Sequence, residues 1–98
     1  MTRLYAVMLT RGAQWAPDAP LEEQPGWRAH ADFMNALEAE GVVALGGPLE
    51  GTPDVLLILR ASGPEEIMDR LAKDPWAAAD QLRVTSITPW SLRLGKLD

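Results

Sequence analysis

Two segments constrain this chain more than anything else in it. Residues 3–10, RLYAVMLT, and residues 55–61, VLLILRA, are apolar at consecutive positions instead of alternate ones. A strand with apolar side chains on both faces belongs in the middle of a sheet, where each face is covered. By contrast, residues 82–92, LRVTSITPWSL, alternate apolar with polar residues and carry Pro89, which points to an edge strand or a bulge. A fourth, shorter strand is read at VVALGG, residues 42–47, with GPLEGTPD as the turn-rich link to VLLILRA.

Two helices complete the order. Trp27, His30, Phe33, Met34, Ala36 and Leu37 recur at three- and four-residue spacing up to Gly41, with Pro25 placed as a first helical residue. A second helix opens at SGPEE: Ser62 or Gly63 caps it, Pro64 suits the first turn, and Glu65 and Glu66 favour the positive end of the dipole. Ile67, Met68 and Leu71 supply its buried stripe, and it runs out at KDPW because Pro75 disfavours helical geometry at Asp74. One more short turn is expected at AAAD. Residues 12–26, GAQWAPDAPLEEQPG, hold three prolines and no consistent period, and read as a long loop of the kind that is often functional.

The resulting order, β-α-β-β-α-β, predicts an α+β, ferredoxin-like sandwich: an antiparallel sheet in strand order 4-1-3-2, with both helices on one face. At 98 residues, the expectation is a single domain over 1–98. Its helices cover only one face of the sheet. The apolar second face therefore predicts a partner, most simply a second copy of the chain packing sheet to sheet as a homodimer.

Composition narrows the function. Nine Lys and Arg against 14 Asp and Glu give a net charge of -5, so nucleic acid is not an expected partner. There is no cysteine, which removes disulfides and thiolate chemistry, and one histidine with scattered carboxylates argues against a metal site; no cofactor is expected. No stretch reaches the length of a secretory core or a membrane span, so the expected location is the cytoplasm, away from membranes. The pieces LEEQ and LEAE read as solvated surface.

Three features are candidates for chemistry. His30 stands on the inward face of the first helix and is the natural general acid or base near neutral pH; a lone histidine on an apolar stripe is also, and more often, a hydrogen-bonded core residue. Asp74 sits at a helix end where the dipole repels it unless something recruits it; alternatively it only initiates an Asp-Pro turn. Gly46, Gly47 and Pro48 allow a close backbone approach to a ligand, or simply end a strand, and no P-loop spacing follows. The four tryptophans, Trp15, Trp27, Trp76 and Trp90, lie at loops or element ends, where they wall an apolar pocket or make dimer contacts.

Taken in order, WRAHADFMNAL, GVVALGGPL, LLILRA, DPW and ITPW resemble the YCII-related (YciI-like) domain family of dimeric α/β barrel proteins over nearly the whole chain. The loop RGAQWAPDAPLEEQPGW is longer than the connection in the simplest members of that family. The resemblance implies a homodimer and an active site on a histidine and an aspartate, which correspond to His30 and Asp74. It also implies lyase-type chemistry, such as dehydrochlorination in aromatic degradation. Two expectations follow. One is a small proton-transfer enzyme acting on an aromatic or carbonyl substrate, with His30 and Asp74 catalytic and Trp15, Trp27, Gly46, Gly47, Pro48 and Trp76 holding the substrate. The other is a non-catalytic ligand-binding or accessory homodimer in which the His-Asp pair braces helix ends.

Overall fold

The structure, a computed structural model, describes residues 1–97. Strand β1 spans Arg3–Arg11, helix α1 Trp27–Ala39, β2 Val43–Pro48, β3 Asp54–Ala61, helix α2 Pro64–Leu71, helix α3 Pro75–Ala78 and β4 Leu82–Trp90. All pairings are antiparallel and the sheet order is β2-β3-β1-β4, so the two doubly apolar segments are the central strands. This is the ferredoxin-like arrangement that the residue pattern predicts, with a third, one-turn helix added after α2.

Strand alternation assigns the faces. Register pairs Tyr5 with Leu59, Val7 with Leu57 and Leu9 with Val55, and these side chains lie beneath the helices with Leu37, Ile67, Leu71, Trp76 and Leu82. Val7 and Leu59 are essentially sealed from solvent, each contributing about 1.5–3 kcal/mol of burial. The opposite face carries Leu4, Ala6 and Met8 of β1 beside Leu56 and Ile58 of β3, with no helix over them. Among the described residues no helix is long and apolar enough to cross a membrane.

Several local details differ from the sequence reading. Pro25 precedes the helix: α1 starts at Trp27, and its N-cap is Gly26, in a left-handed conformation (φ 77°) that glycine adopts without strain. Of the two residues read as caps for α2, Gly63 takes the position, and the Ser62 hydroxyl donates to Glu66. The extra turn is PWAA, begun by Asp74, and AAAD only trails out of it. β4 ends at Trp90 and is an edge strand, as Pro89 indicated, while the ladder irregularity falls between Met8 and Leu9. Ala36 faces solvent.

The loop after β1 is ordered by three sets of bonds. Gly12 N–H donates to the Gln81 carbonyl and Gln14 N–H to the Asp80 carbonyl, stitching the loop to the start of β4. Asp80 also receives two short bonds from Arg83 (2.6 and 2.7 Å); these bonds hold its carboxyl below the ordinary carboxylate value. Further along, the Gln24 side chain is buried. Its oxygen accepts from Ala16 N–H (2.9 Å), and its amide nitrogen donates to the carbonyls of Ala16 (2.7 Å) and Ala19 (2.8 Å). LEEQ is thus only partly solvated surface: Glu22 and Glu23 are exposed on a single 3-10 turn, and Gln24 is the clasp of the loop.

A Cβ on Gly12 would collide with the backbone carbonyl of Asp80, whereas a Cβ on Gly47 meets nothing within 4 Å. Gly12→Ala is therefore expected to cost about 1–3 kcal/mol and Gly47→Ala less than about 0.5 kcal/mol. Urea unfolding of the two variants against the parent checks the contrast.

Candidate active site

His30 occupies the second turn of α1 and points into the sandwich, and Asp74 caps α3 on the other side of the same space. The two side chains, 44 residues apart in sequence, meet closely: Nδ1 of the imidazole lies 2.9 Å from one Asp74 carboxylate oxygen and 2.8 Å from the other. Both side chains are buried. A carboxylate accepts and does not donate, so in this contact Nδ1 carries the hydrogen.

The helix dipole at Asp74 is the reverse of the expected one. Asp74 lies three residues past the end of α2 and starts α3, and as N-cap it accepts a hydrogen bond from Trp76 N–H at 3.0 Å. Pro75 at the first position of α3 supplies the fixed backbone angle that turns the chain there. The same turn carries the indole of Trp76 under the imidazole: the rings stack 3.8 Å apart and 7° from parallel. Asp74 thus fixes the rotation of the His30 ring in its plane, and Trp76 fixes the plane itself.

Trp76 is itself pinned. It is 1% exposed, and its indole N–H donates to the Pro25 carbonyl at 2.8 Å. Trp15, from the loop, meets it edge to face at 5.4 Å, and Trp27 lies tilted against both Trp76 and His30 at about 6 Å. Three of the four tryptophans therefore gather around one histidine. Trp90 does not join them; it pairs with Leu4 at the far edge of the open sheet face.

Beside this cluster lies a cavity of about 260 Å³. All eight residues singled out from the sequence line it: His30, Asp74, Trp15, Trp27, Trp76, Gly46, Gly47 and Pro48. What the structure shows of Gly46 is room. A Cβ there would come 2.6 Å from Leu57, so the glycine keeps the β2 side of the cavity free of side chain. The second imidazole nitrogen, Nε2, has no protein partner among the described residues and is not sealed from solvent, and His30 lines the cavity. Among the described residues, no group of three or more His, Cys, Asp or Glu side chains is placed to hold a metal ion.

The cavity also has walls that the motif reading missed. Leu9 and Leu57 form part of its floor, Met34, Asn35 and Glu38 extend it along α1, and Arg11 stands at the end of β1. The helical positions follow from the same periodicity that placed His30. Arg11 follows from the alternation of β1: Tyr5, Val7, Leu9 and Arg11 share one face, so the fourth inward residue is an arginine.

Comparisons with known proteins bear on the fold. No family model and no curated protein matches the chain. Among solved structures it is similar to 5-chloro-2-hydroxyhydroquinone dehydrochlorinase from Burkholderia phenoliruptrix AC1100, in complex with 2,5-dihydroxybenzoquinone. The identity is 18%, the TM-score 0.62, and the match covers 94% of this chain and 95% of the other. At that identity the likeness shows a shared fold along nearly the full length of both chains, and no more.

His30 is the only histidine in the chain, so its imidazole gives one isolated pair of ¹⁵N resonances. In the neutral ring, Nδ1 is expected to show the protonated, pyrrole-type shift and Nε2 the unprotonated one. Asp74→Asn, which removes one of the two anionic acceptors, is expected to move the population toward the opposite tautomer. A neutral ring protonated at Nε2 in the parent would contradict the geometry.

Proposed function

We propose that the chain is a small proton-transfer enzyme of the lyase or isomerase type, acting on a single-ring aromatic, quinoid or carbonyl-containing substrate. The observation that carries this reading is the His30 arrangement. One ring nitrogen is held by a buried carboxylate, the ring plane is held by an indole, and the other nitrogen is accessible beside a small aromatic-walled cavity. A general base needs this combination of fixed tautomer, fixed aim and access.

In this reading Nε2 takes the proton of an acidic hydroxyl or C–H group of the bound ring. The electron pair left behind moves into the ring, and a leaving group such as halide departs from a neighbouring carbon. Asp74 keeps the imidazole in the receptive tautomer and faces the positive charge that appears on it. Trp15, Trp27 and Trp76 wall the ring, and backbone amides around Gly46 and Gly47 steady negative charge on its oxygen. The cavity volume agrees with the ligand class: about 150 Å³ accommodates a benzene, so about 260 Å³ suits one substituted ring. The dehydrochlorinase of like fold, which binds a dihydroxybenzoquinone, supports the same class. The YCII-related resemblance of the sequence points the same way.

The homodimer belongs to this proposal. The uncovered sheet face carries Leu4, Met8 and Leu56, continued outward by Leu45 (53% exposed) and Trp90 (37% exposed). A second copy, sheet against sheet, buries that face with the same residues on each side, as a twofold interface requires.

A second reading has its own observation. Asp74 already caps α3 and ties it to α1, so the pair would brace two helices even without turnover. His30→Ala separates the two. Assayed with 5-chloro-2-hydroxyhydroquinone and with carbon acids followed by deuterium uptake in D₂O, the proton-transfer reading expects kcat/KM to fall by about 10²–10⁴ in a folded protein. Unchanged turnover in that variant dismisses His30 as the base. No turnover in the parent on any of these, with a large loss of Tm in the variant, favours bracing. For the assembly, sedimentation is expected to give twice the 10.7 kDa chain mass for the parent and the single mass for Met8→Lys.

A further inference from the structure

We infer that the cavity selects a planar, singly anionic ring, and that Arg11 is the residue that reads the charge. This deepens the proposed function by naming the charge and shape of its ligand, and it rests on the cavity being a single-ring site.

The Arg11 guanidinium pairs with no carboxylate among the described residues, in a chain where acidic side chains outnumber basic ones by 14 to nine. An arginine on so acidic a surface has carboxylates to choose from, yet this one lies over the Trp15 ring, 4.6 Å from its centroid. This contact leaves its N–H groups, the ones that bind a carboxylate or phenolate in pairs, without a carboxylate partner. Among the described residues it is also the only Lys or Arg along the cavity wall.

Its position is built, not incidental. Arg11 continues the inward alternation of Tyr5, Val7 and Leu9, and it is register-paired with Leu82, itself part of the cavity wall. From Arg11 a continuous series of ring contacts leads to the base: Arg11 on Trp15, Trp15 against Trp76 at 5.4 Å, and Trp76 stacked on His30 at 3.8 Å.

The acidic residues of the wall do not cancel this cation. Asp74 is engaged by His30. Asp54 is register-paired with Thr10, so its side chain leaves the sheet on the face opposite Arg11. Glu38 lies eight residues along α1 from His30, more than two helical turns toward the C-terminal end of the helix.

Calorimetric titration with benzoate and with its neutral isostere benzamide tests this on the intact chain, without any turnover. The parent is expected to bind benzoate at least about tenfold more tightly than benzamide, the ratio expected of one charge-assisted pair. Arg11→Gln is expected to bring that ratio near one while leaving benzamide affinity within about twofold; its far-ultraviolet dichroism and Tm verify that it folds. His30→Ala is expected to retain the benzoate preference. Equal affinity for the two probes in the parent, binding of neither, or a preference that survives Arg11→Gln overturns the inference. So does a preference lost only in His30→Ala, which would assign the charge to the imidazole. These outcomes are separate from those of the proposed reaction: selectivity lost with turnover intact removes Arg11 alone, and selectivity intact without turnover removes the catalytic reading alone.

Discussion

Everything around the candidate site depends on one turn of chain, Asp74-Pro75-Trp76, meeting one imidazole from two directions. The carboxylate bonds the ring in its plane and the indole stacks beneath that plane, so two residues in three consecutive positions remove both rotations of the His30 side chain. Proline between them makes the delivery rigid, since its fixed backbone angle sets the start of α3. Each is completed by one further bond: Trp76 N–H to the Asp74 carboxylate within the turn, and the Trp76 indole N–H to the Pro25 carbonyl, 51 residues away in sequence.

The long loop becomes intelligible from the same turn. Pro25 is both the acceptor for the Trp76 indole and the last residue before the Gly26 cap of α1, so the loop end and the helix start are fixed together. Gly26 suits that place because its φ is positive, a conformation that other residues rarely adopt. At the other end, Gly12 is sewn to β4, and in the middle Gln24 supplies the polar partners that a non-repetitive backbone lacks. With three anchors the segment holds Trp15 against Trp76 as part of the cavity wall instead of leaving it to solvent.

Much of this was legible in the residues. The doubly apolar RLYAVML and VLLIL could only be central strands, and from that the strand order and the uncovered face follow. His30 and Asp74 were identifiable because each is chemically out of place on its own element. What escaped was information that resides in contacts, not in periods. Gln24 looked like one more polar residue of LEEQ because its role depends on carbonyls five and eight residues earlier folding back on it. Asp74 looked repelled by a helix dipole because the four-residue helix it caps is too short to leave a pattern. Arg11 marks a different kind of miss: the first strand was read over residues 3–10, one residue short, so the arginine that continues its helix-side face was left outside it.

The fold explains why the site lies where it does, though not what it does. In a two-layer sandwich with one covered face, helices and sheet fill the space between them wherever both contribute side chains. Gly46 contributes none on the β2 side, and a side chain there would collide with Leu57. The loop covers the remaining opening with Trp15 instead of a third long helix. The result is a gap bounded by rigid elements, next to the one histidine whose ring cannot turn. A chain of the same fold at 18% identity shares the layers that make such a gap. The chemistry depends on what lines it, which here is a buried Asp-His pair, three indoles and one unpaired guanidinium. Only the last of these carries a fixed positive charge. In the proposed reading, that single positive charge is what separates ring ligands of equal size from one another.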